Sequence, residues 1–384
     1  MNANNTVDTR ESSNRRIRIG VLGGGFGRTF TWHKHPNSTV QAVCDFDSER
    51  REELARTYVC DTRYETYEQM LQDRSVDAVA ICSGAPDHVR HTVAALRVDK
   101  HVFCAVPAAI TLEECEELVK TVEETGLTYM MGETSYYRQA AISARAFYEE
   151  GRFGNIYYTE AEYHHAGLES SMYSNGQRTW RYALPPMLYP THCTAFLTGT
   201  TGERLISVSC IGWGDDSPFL KNNQYGNPFC NETAFFKTDK ANAFRASVFW
   251  KGAHRGTERA QWYGEKMSFF MDHPNGMGPV IVRSVAAEEL HIDGIVRYTS
   301  ELEPYEQPEY WQTDMLPEPL RLDSYHGASH GFLTHEFVDA LINERRPAID
   351  VYEAVAYTAP GIVAHQSALR GGEQMKIPSF DPKN

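Results

Sequence analysis

Three glycines and an aspartate near the N-terminus have the spacing of a nucleotide-binding site. Gly23, Gly25 and Gly27 follow the apolar run Ile17–Leu22, and Asp45 ends a second apolar run about 22 residues after Gly23. Glycines at such a turn let backbone amides approach a pyrophosphate, and a carboxylate about 20 residues later holds the adenosine ribose. The spacing predicts a dinucleotide site, and Asp45 favours NAD over NADP because a carboxylate repels a 2′-phosphate.

The glycine loop is irregular, because Gly25 is followed by Phe26, Gly27 and Arg28, so that the third glycine comes one position early. Arg28 either contacts a phosphate of the cofactor or is simply solvated. A tight glycine turn without a nucleotide is the alternative interpretation of the loop, and Asp45 is the residue that argues against it.

The elements that would position these residues alternate between strands and helices. Strand-like runs cover residues 40–44, 76–82 and 101–104, and a helix-like segment covers residues 87–96. This order predicts a parallel sheet with crossover helices.

From about residue 136 the strand-like runs become longer and richer in aromatic residues. Consecutive runs without helices between them predict a mostly antiparallel sheet. The predicted strands are 156–163, 205–211, 244–250 and 261–271, followed by an irregular segment over 301–322 and helices over 330–343 and 352–368. We therefore predict a disordered tail over residues 1–14, a Rossmann NAD-binding domain over 15–135, and a second domain over 136–384.

The composition excludes several classes of function. Acidic residues outnumber basic ones 51 to 37, giving a net charge of −14, which disfavours binding to nucleic acid or anionic membranes. The chain has no apolar run of about 18 residues, so no membrane span is expected. Eight scattered cysteines without a CxxC pair indicate buried free thiols in a reducing compartment. Arg15-Arg16 precedes a strand rather than an export signal, so we expect a cytoplasmic protein.

Several motifs along the chain resemble those of the Gfo/Idh/MocA oxidoreductase family. Residues 100–114 read KHVFCAVPAAITLEE, where sugar dehydrogenases of the family read roughly KHVFCEKPLALTLEE. Tyr137 and Arg138 belong to its nYR turn, residues 151–156 match its GxxGxI turn, and residues 350–354 resemble its last helix start. The resemblance implies a Rossmann domain followed by an α/β domain whose open, mostly antiparallel sheet covers the active site. The resemblance thus makes residues 136–384 a substrate and oligomerisation domain, and since its sheet often forms oligomers, a homo-oligomer is expected.

The resemblance also implies which residues line the cofactor. It assigns Ser83 and His88, in the turn SGAPDH, and Val106 and Pro107, in the signature segment, to the cofactor side of the site. His88 either approaches the nicotinamide or caps a helix.

The chain departs from the family at positions that carry its chemistry. The family lysine that moves a proton to and from the oxidised hydroxyl is Val106, and the family aspartate of GGGxLxDxGxHxxD is Leu188. The histidine of that segment remains as His192. These features look like the NAD-dependent α-N-acetylgalactosaminidases and related glycosidases, although their usual glutamate is Ala105 here.

That subgroup hydrolyses glycosides by transient oxidation. A hydride leaves C3, the C2 proton is removed, the C1 substituent is eliminated, water adds, and the hydride returns. The resemblance assigns C2 deprotonation to Tyr163, which requires a lowered pKa, and proton transfer at O3 or elsewhere to His192. The alternatives are a packed tyrosine in the sheet and a hydrogen-bonded core histidine.

Substrate contacts are expected at Tyr137, Arg138 and Tyr189. Trp180 and Arg181 would bind sugar by stacking and hydrogen bonds, or form a structural cation–π pair. No sugar, anomer or aglycone is identified by these residues.

The histidine groups 164, 165 and 192 and 326, 330 and 335 raise the question of a metal site. Adjacent histidines on a strand point to opposite faces, and no carboxylate lies at a recognised ligand spacing, so no metal is expected. Three functions stay open: the NAD-dependent glycoside hydrolase, which is favoured, a sugar or cyclitol dehydrogenase with a rearranged proton relay, and a non-catalytic nucleotide-binding sensor.

Overall fold

The first half of the fold is a parallel sheet built from six strands. The computed structural model describes residues 15–165, 168–174, 176–253, 256–290 and 295–382, and the predicted tail lies outside these residues. The strands are β1 (Ile17–Leu22), β2 (Ser38–Cys44), β3 (Arg63–Tyr64), β4 (Ala78–Ile81), β5 (His101–Cys104) and β6 (Tyr129–Met131). The helices are α1 (Gly24–Gly27), α2 (Ser48–Tyr58), α3 (Tyr67–Leu71), α4 (His88–Leu96) and α5 (Leu112–Thr125).

The order of the strands in this sheet indicates where a nucleotide would bind. The sheet runs β3-β2-β1-β4-β5-β6 with every pair parallel, so the chain direction of the crossovers reverses between β1 and β4. Ligands of such sheets bind at the carboxyl ends of the strands at this reversal. Gly23, Asp45 and Ser83 lie at or just after the carboxyl ends of β1, β2 and β4.

The second half is a larger mixed sheet with helices on one side. Its order is β16-β15-β14-β13-β7-β12-β11-β10-β17, and only the β7–β12 pair is parallel within the described residues. The helices are α6 (Gln139–Glu149), α7 (Thr191–Thr201), α8 (Ser329–Ile342) and α9 (Val351–Leu369). The strands are β7 (Ile156–His164), β10 (Leu205–Trp213), β11 (Asn231–Thr238), β12 (Ala243–Phe249), β13 (Thr257–Gly264), β14 (Met267–Phe270), β15 (Val280–Leu290), β16 (Ile295–Pro304) and β17 (Met375–Lys376), with a small hairpin of β8 (Tyr173–Ser174) and β9 (Gln177–Arg178). The predicted fold class is confirmed.

Two of the predicted elements were wrong in their extent. The strand expected over 261–271 is the end of β13 and the whole of β14, because the chain turns between Gly264 and Met267. At this turn a Cβ on Gly264 would lie 2.4 Å from the Phe153 carbonyl oxygen, so the close approach requires glycine. The segment expected to be irregular over 301–322 begins with the last four residues of β16.

Helix α9 ties the two sheets together. The Met131 amide at the end of β6 donates to the Ile349 carbonyl just before α9, at 3.0 Å. Further along α9, a Cβ on Gly361 would lie 2.1 Å from the Met187 carbonyl oxygen, so the helix touches the turn before α7. This contact fixes the start of α7, where His192 lies, relative to the nucleotide-binding sheet.

No helix in the described part of the chain is long and apolar enough to cross a membrane. All eight cysteines are buried and free.

Candidate active site

The glycine loop after β1 leaves one face open. Gly23 has a φ of 96°, and a Cβ there would lie 2.5 Å from the Cys82 carbonyl oxygen, so only glycine fits. A Cβ on Gly27 would lie 2.9 Å from the Val21 side chain, which means that this glycine serves packing. A Cβ on Gly25 would meet nothing within 4 Å, so its backbone faces the open space where a pyrophosphate can approach.

Asp45 joins the end of β2 to this loop. Its carboxylate accepts hydrogen bonds from the Gly24 amide at 2.6 Å and from the Asp47 amide at 2.9 Å, and the residue is buried. Each carboxylate oxygen accepts one of these bonds and keeps a free lone pair for a ribose hydroxyl. The loop and the carboxylate therefore fit a dinucleotide, as their spacing in the sequence predicts.

The side chains next to the loop point away from its open face. The Arg28 guanidinium forms an ion pair with Glu53 on α2, so it is engaged by a carboxylate on the surface. The Phe26 ring packs edge-to-face against Phe30 and His330, at centroid distances of 5.2 and 5.3 Å.

His88 connects the two turns that follow β4 and β5. Its Nδ1 lies 2.7 Å from the Pro107 carbonyl oxygen and its Nε2 lies 3.0 Å from the Ser83 carbonyl oxygen. Burial lowers the pKa of His88, so the ring donates to one carbonyl at a time. Both nitrogens are thus occupied in holding the turns that carry Ser83 and Pro107, and contact of these residues with the nicotinamide stays a prediction.

The two positions where the family has its lysine and aspartate are apolar and buried. Val106 is 6% exposed and Leu188 is 8% exposed. Neither side chain can carry a proton, so the proton chemistry of this site must come from other residues.

A buried carboxylate holds His192. The Glu133 carboxylate, which is fully buried, lies 2.8 Å from Nδ1 of His192 and also accepts the Ser135 amide at 2.8 Å. This bond keeps the proton on Nδ1 and leaves Nε2 with a lone pair. Burial by itself lowers the pKa of His192, but the Glu133 carboxylate outweighs it and the pKa is raised.

A second carboxylate, Glu258, lies beside this pair. It accepts the Ser135 hydroxyl at 2.7 Å and pairs with the Arg138 guanidinium through both oxygens, at 3.0 Å for Nε. Burial raises the pKa of Glu258, but Arg138 outweighs this effect and holds it well below its usual range. Arg138, expected to bind substrate, thus uses two of its nitrogens to neutralise Glu258.

Tyr163 stands against His192 in a group of aromatic rings. The two ring centroids are 4.4 Å apart, and Tyr189 and Trp250 lie 6.0 and 5.9 Å from Tyr163. Burial raises the pKa of Tyr163 well above its usual value, with Arg181 acting weakly in the opposite direction. The phenol is therefore neutral, and its surroundings raise its pKa where a base requires a lowered one.

Trp180 and Arg181 bring the β9 hairpin onto the nucleotide-binding sheet. The Arg181 guanidinium lies 4.1 Å from the Trp180 ring centre, so the expected cation–π pair exists. A Cβ on Gly84 would lie 2.7 Å from the indole, which shows that Trp180 packs on the turn after β4. The indole also lies 6.4 Å from the Tyr189 ring.

Tyr137 lies away from the rings around His192. It is buried, and its ring stacks on Phe332 of α8 with centroids 5.4 Å apart. Beside the neighbouring Arg138 and Glu258, a groove of about 410 Å³ runs along Gln139, Asp272 and His273.

Sequence reasoning missed Glu133, Ser135 and Glu258. Glu133 and Ser135 follow β6, so their position at the carboxyl end of a parallel strand was a usable signal. Glu258 had no such signal, because it meets the site only through the antiparallel register that pairs it with Tyr163. No three histidine, cysteine or carboxylate side chains in the described residues are grouped to hold a metal ion.

The fold and this site define a class of protein: a dinucleotide-binding α/β protein with a buried acid–base cluster to which both of its halves contribute. Residues 17–133 match the family model described as "Oxidoreductase family, NAD-binding Rossmann fold" of the Gfo/Idh/MocA group. Residues 17–133 therefore form the NAD-binding Rossmann domain of this oxidoreductase family, and the protein is an NAD-dependent enzyme.

Two relatives match nearly the whole chain, and a third matches about a third of it. A glycosyl hydrolase family 109 protein of Solibacter usitatus is 25% identical, covering 96% of this chain and 89% of that protein. Another, from Shewanella woodyi, is 28% identical over 95% of this chain and 85% of its own length. A 2,7-anhydro-N-acetylneuraminate hydratase of Escherichia coli is 29% identical over 36% of this chain and 38% of that protein.

Solved structures share the fold. A levoglucosan dehydrogenase in complex with NADH and levoglucosan superposes with a TM-score of 0.76 at 17% identity, covering 95% of this chain and 100% of that one. A scyllo-inositol dehydrogenase from Lactobacillus casei with bound NAD(H) and scyllo-inositol gives 0.67 at 17% identity, covering 94% of this chain and 99% of that one.

Proposed function

We propose that the protein is an NAD-dependent glycoside hydrolase that oxidises its sugar transiently at C3. The observation that carries this proposal is the Glu133–His192 pair with Tyr163 against it, in a site where positions 106 and 188 are apolar. The family 109 glycosyl hydrolases among its relatives support the same conclusion. When bound at the glycine loop, NAD supplies the acceptor for the C3 hydride and the donor that returns it.

His192 handles the proton on the sugar O3. Its Nε2 has the lone pair, because Nδ1 donates to Glu133. As C3 is oxidised, Nε2 takes the O3 proton, and the buried Glu133 carboxylate stabilises the imidazolium. The same proton returns to O3 in the final reduction.

Tyr163 handles the proton on C2. Once C3 is a ketone, the C2–H bond is acidic because the carbanion is an enolate. Tyr163 must lose its raised pKa before it can act, and the positive charge of Arg181 favours its phenolate. Removal of the C2 proton is followed by cleavage of the C1–O bond, and the aglycone leaves with the proton that Tyr163 took from C2. Water then adds to C1, a proton returns to C2, and reduction at C3 completes hydrolysis.

The substrate proposed is a carbohydrate glycoside held along Trp180, Arg181 and Tyr189. We also propose that Rossmann and substrate domains divide near residue 135, and that the chain forms a homo-oligomer through the outer face of the large sheet. On that face Ile211 and Phe235 of the paired strands β10 and β11 are more than half exposed. Light scattering of purified protein tests the oligomer, and a monomer at all concentrations would reject it.

The test of the reaction uses purified protein, added NAD and a panel of aryl glycosides in D₂O. The panel pairs both anomers with a hydroxyl or an acetamido group at C2. We expect aglycone release without net NADH, and deuterium at C2 of the product sugar. NADH that accumulates with free sugars, without aglycone release, would refute the hydrolase and support a sugar dehydrogenase.

A further inference from the structure

A pair of hydrogen-bonded histidines lies between the glycine loop and the acid–base cluster. His326 is in the loop before α8 and reaches solvent, whereas His330 is in the first turn of α8 and is fully buried. Nδ1 of His326 lies 3.0 Å from Nε2 of His330, and Nδ1 of His330 lies 3.1 Å from the Thr29 carbonyl oxygen. The proposed reaction has used neither residue.

This chain of bonds determines where the protons are. A carbonyl oxygen only accepts, so Nδ1 of His330 carries its proton and donates it to Thr29. Burial lowers the pKa of His330 to about 3, so the ring is neutral and its Nε2 is an acceptor. Nδ1 of His326 must then be the donor in the bond between the two rings. Since burial also lowers the pKa of His326, that ring is neutral and its Nε2 presents a lone pair.

The surroundings of His326 differ on its two sides. The Phe26 ring stands edge-on to both imidazoles, at 6.2 Å from His326 and 5.3 Å from His330, so the side facing the glycine loop is apolar. On the other side the loop is fixed to the second half of the protein, because the Gln139 amide donates to the Gly327 carbonyl at 3.2 Å. Gly327 also borders the groove beside Arg138.

The charged groups that act most on His326 belong to the acid–base cluster. They are Glu258, Glu133, Arg138 and His192, besides its partner His330. Both oxygens of Glu258 bind Arg138, and Oε1 of Glu133 binds His192, so these three oxygens are already engaged within the protein. A neutral imidazole nitrogen with a lone pair can accept a hydrogen bond from a hydroxyl group.

We propose that Nε2 of His326 accepts a hydrogen bond from a hydroxyl group of the bound sugar and so orients the ring beside His192. This inference rests on the proposed function, because it assumes a carbohydrate in the site. His330 is a positioning residue, which fixes the tautomer of His326 by taking its Nδ1 proton.

Two substitutions of His326 separate the substrate contact from the contact with His330. The amide of His326→Asn reaches the place of Nδ1 and keeps the bond to His330, but leaves nothing at the place of Nε2. The amide of His326→Gln reaches the place of Nε2 and restores an acceptor there. We expect His326→Asn to lower kcat/KM about tenfold, mainly through KM, the effect of one lost neutral hydrogen bond. His326→Gln should keep kcat/KM within about threefold of the unchanged protein.

The chain offers a matched control. His335 of α8 bonds to Nε2 of His35 through its Nδ1, also at 3.0 Å, and neither residue belongs to the described site. His335→Asn should leave kcat/KM unchanged. The proposal is overturned if His326→Asn and His326→Gln are equally impaired, if both match the unchanged protein, or if either weakens NAD binding, measured by tryptophan fluorescence, more than about threefold.

One readout does not depend on the reaction. In ¹⁵N-histidine NMR spectra of the complete protein, assigned with His326→Asn, Nε2 of His326 should appear as the non-protonated nitrogen at neutral pH. A proton on Nε2 would overturn the proposal even if the hydrolase is established. If the glycoside panel instead gives no aglycone, the spectrum still tests the tautomer, and the two failures stay distinct.

Discussion

The substitution Glu133→Gln tests the acid–base pair most directly. It keeps the shape of the side chain and an acceptor for the Nδ1–H of His192 and the Ser135 amide, but removes the charge 2.8 Å from the ring. Charges about 4 Å apart at an effective dielectric constant of about 20 interact by about 4 kcal/mol. This is the stabilisation that the imidazolium loses when it takes the O3 proton, so kcat/KM should fall by about a thousandfold.

The pH profile gives the sign of the effect. His192 accepts a proton only when it is neutral, and its pKa is raised above the usual value. Activity should therefore fall as the pH drops through this raised pKa. In Glu133→Gln the loss of activity at acidic pH (the acid limb of the profile) should occur at a lower pH, and the maximal rate should also be lower. Rates of aglycone release between pH 5 and 9, measured with NAD in excess, provide the assay.

A similar pair elsewhere provides the control. Glu232 is fully buried and lies 2.8 Å from Nδ1 of His365, outside the described site. Glu232→Gln should lower thermal stability but leave the acid limb of the profile where it is. The reasoning is refuted if the limb of Glu133→Gln stays in place, or if Glu232→Gln moves it equally.

Three further predictions concern the base, the second carboxylate and the cofactor loop. Tyr163→Phe should lower kcat for aglycone release by about 10²–10⁴-fold and leave NAD affinity within about twofold, as measured by steady-state kinetics and fluorescence titration. Arg138→Met leaves Glu258 buried without its counter-charge, so urea unfolding should show a loss of about 3–5 kcal/mol at pH 7. That loss should shrink as the pH falls towards the ordinary carboxyl pKa of about 4.3, because Glu258 then takes up a proton, and a pH-independent loss would contradict this account. Gly25→Val adds a side chain in open space and should abolish NAD binding without lowering the melting temperature, whereas Gly27→Val should lower it by clashing with β1. Retained NAD binding in Gly25→Val would show that the pyrophosphate lies elsewhere.

The features that could be predicted from the sequence are those that a short stretch of the chain determines. Gly23 and Asp45 could be found because the loop and the strand end lie within one βαβ unit, where spacing dictates geometry. A motif identified His192, but its partner Glu133 lies 59 residues earlier in the chain. The two residues meet only because α7 packs against the turn after β6. Such a pair cannot be predicted from spacing.

The protonation of Tyr163 shows a second kind of limit. The sequence identifies the tyrosine but does not tell how many rings surround it, and burial among those rings raises its pKa instead of lowering it. The extent of the strand predicted over 261–271 was wrong because aromatic and other apolar residues lie on both sides of the turn at Gly264, which suggests one continuous strand.

The apolar residues at positions 106 and 188 make the lysine chemistry of the wider family difficult to regain. A lysine at Val106 alone would carry its ammonium into a buried place, and an aspartate at Leu188 alone would be a buried carboxylate. Each single change therefore lowers the stability of the protein, because the opposite charge that the other change would supply is missing. In a laboratory selection for dehydrogenase activity, we therefore expect each single substitution to yield a destabilised and inactive protein. Only the simultaneous double substitution should give dehydrogenase activity.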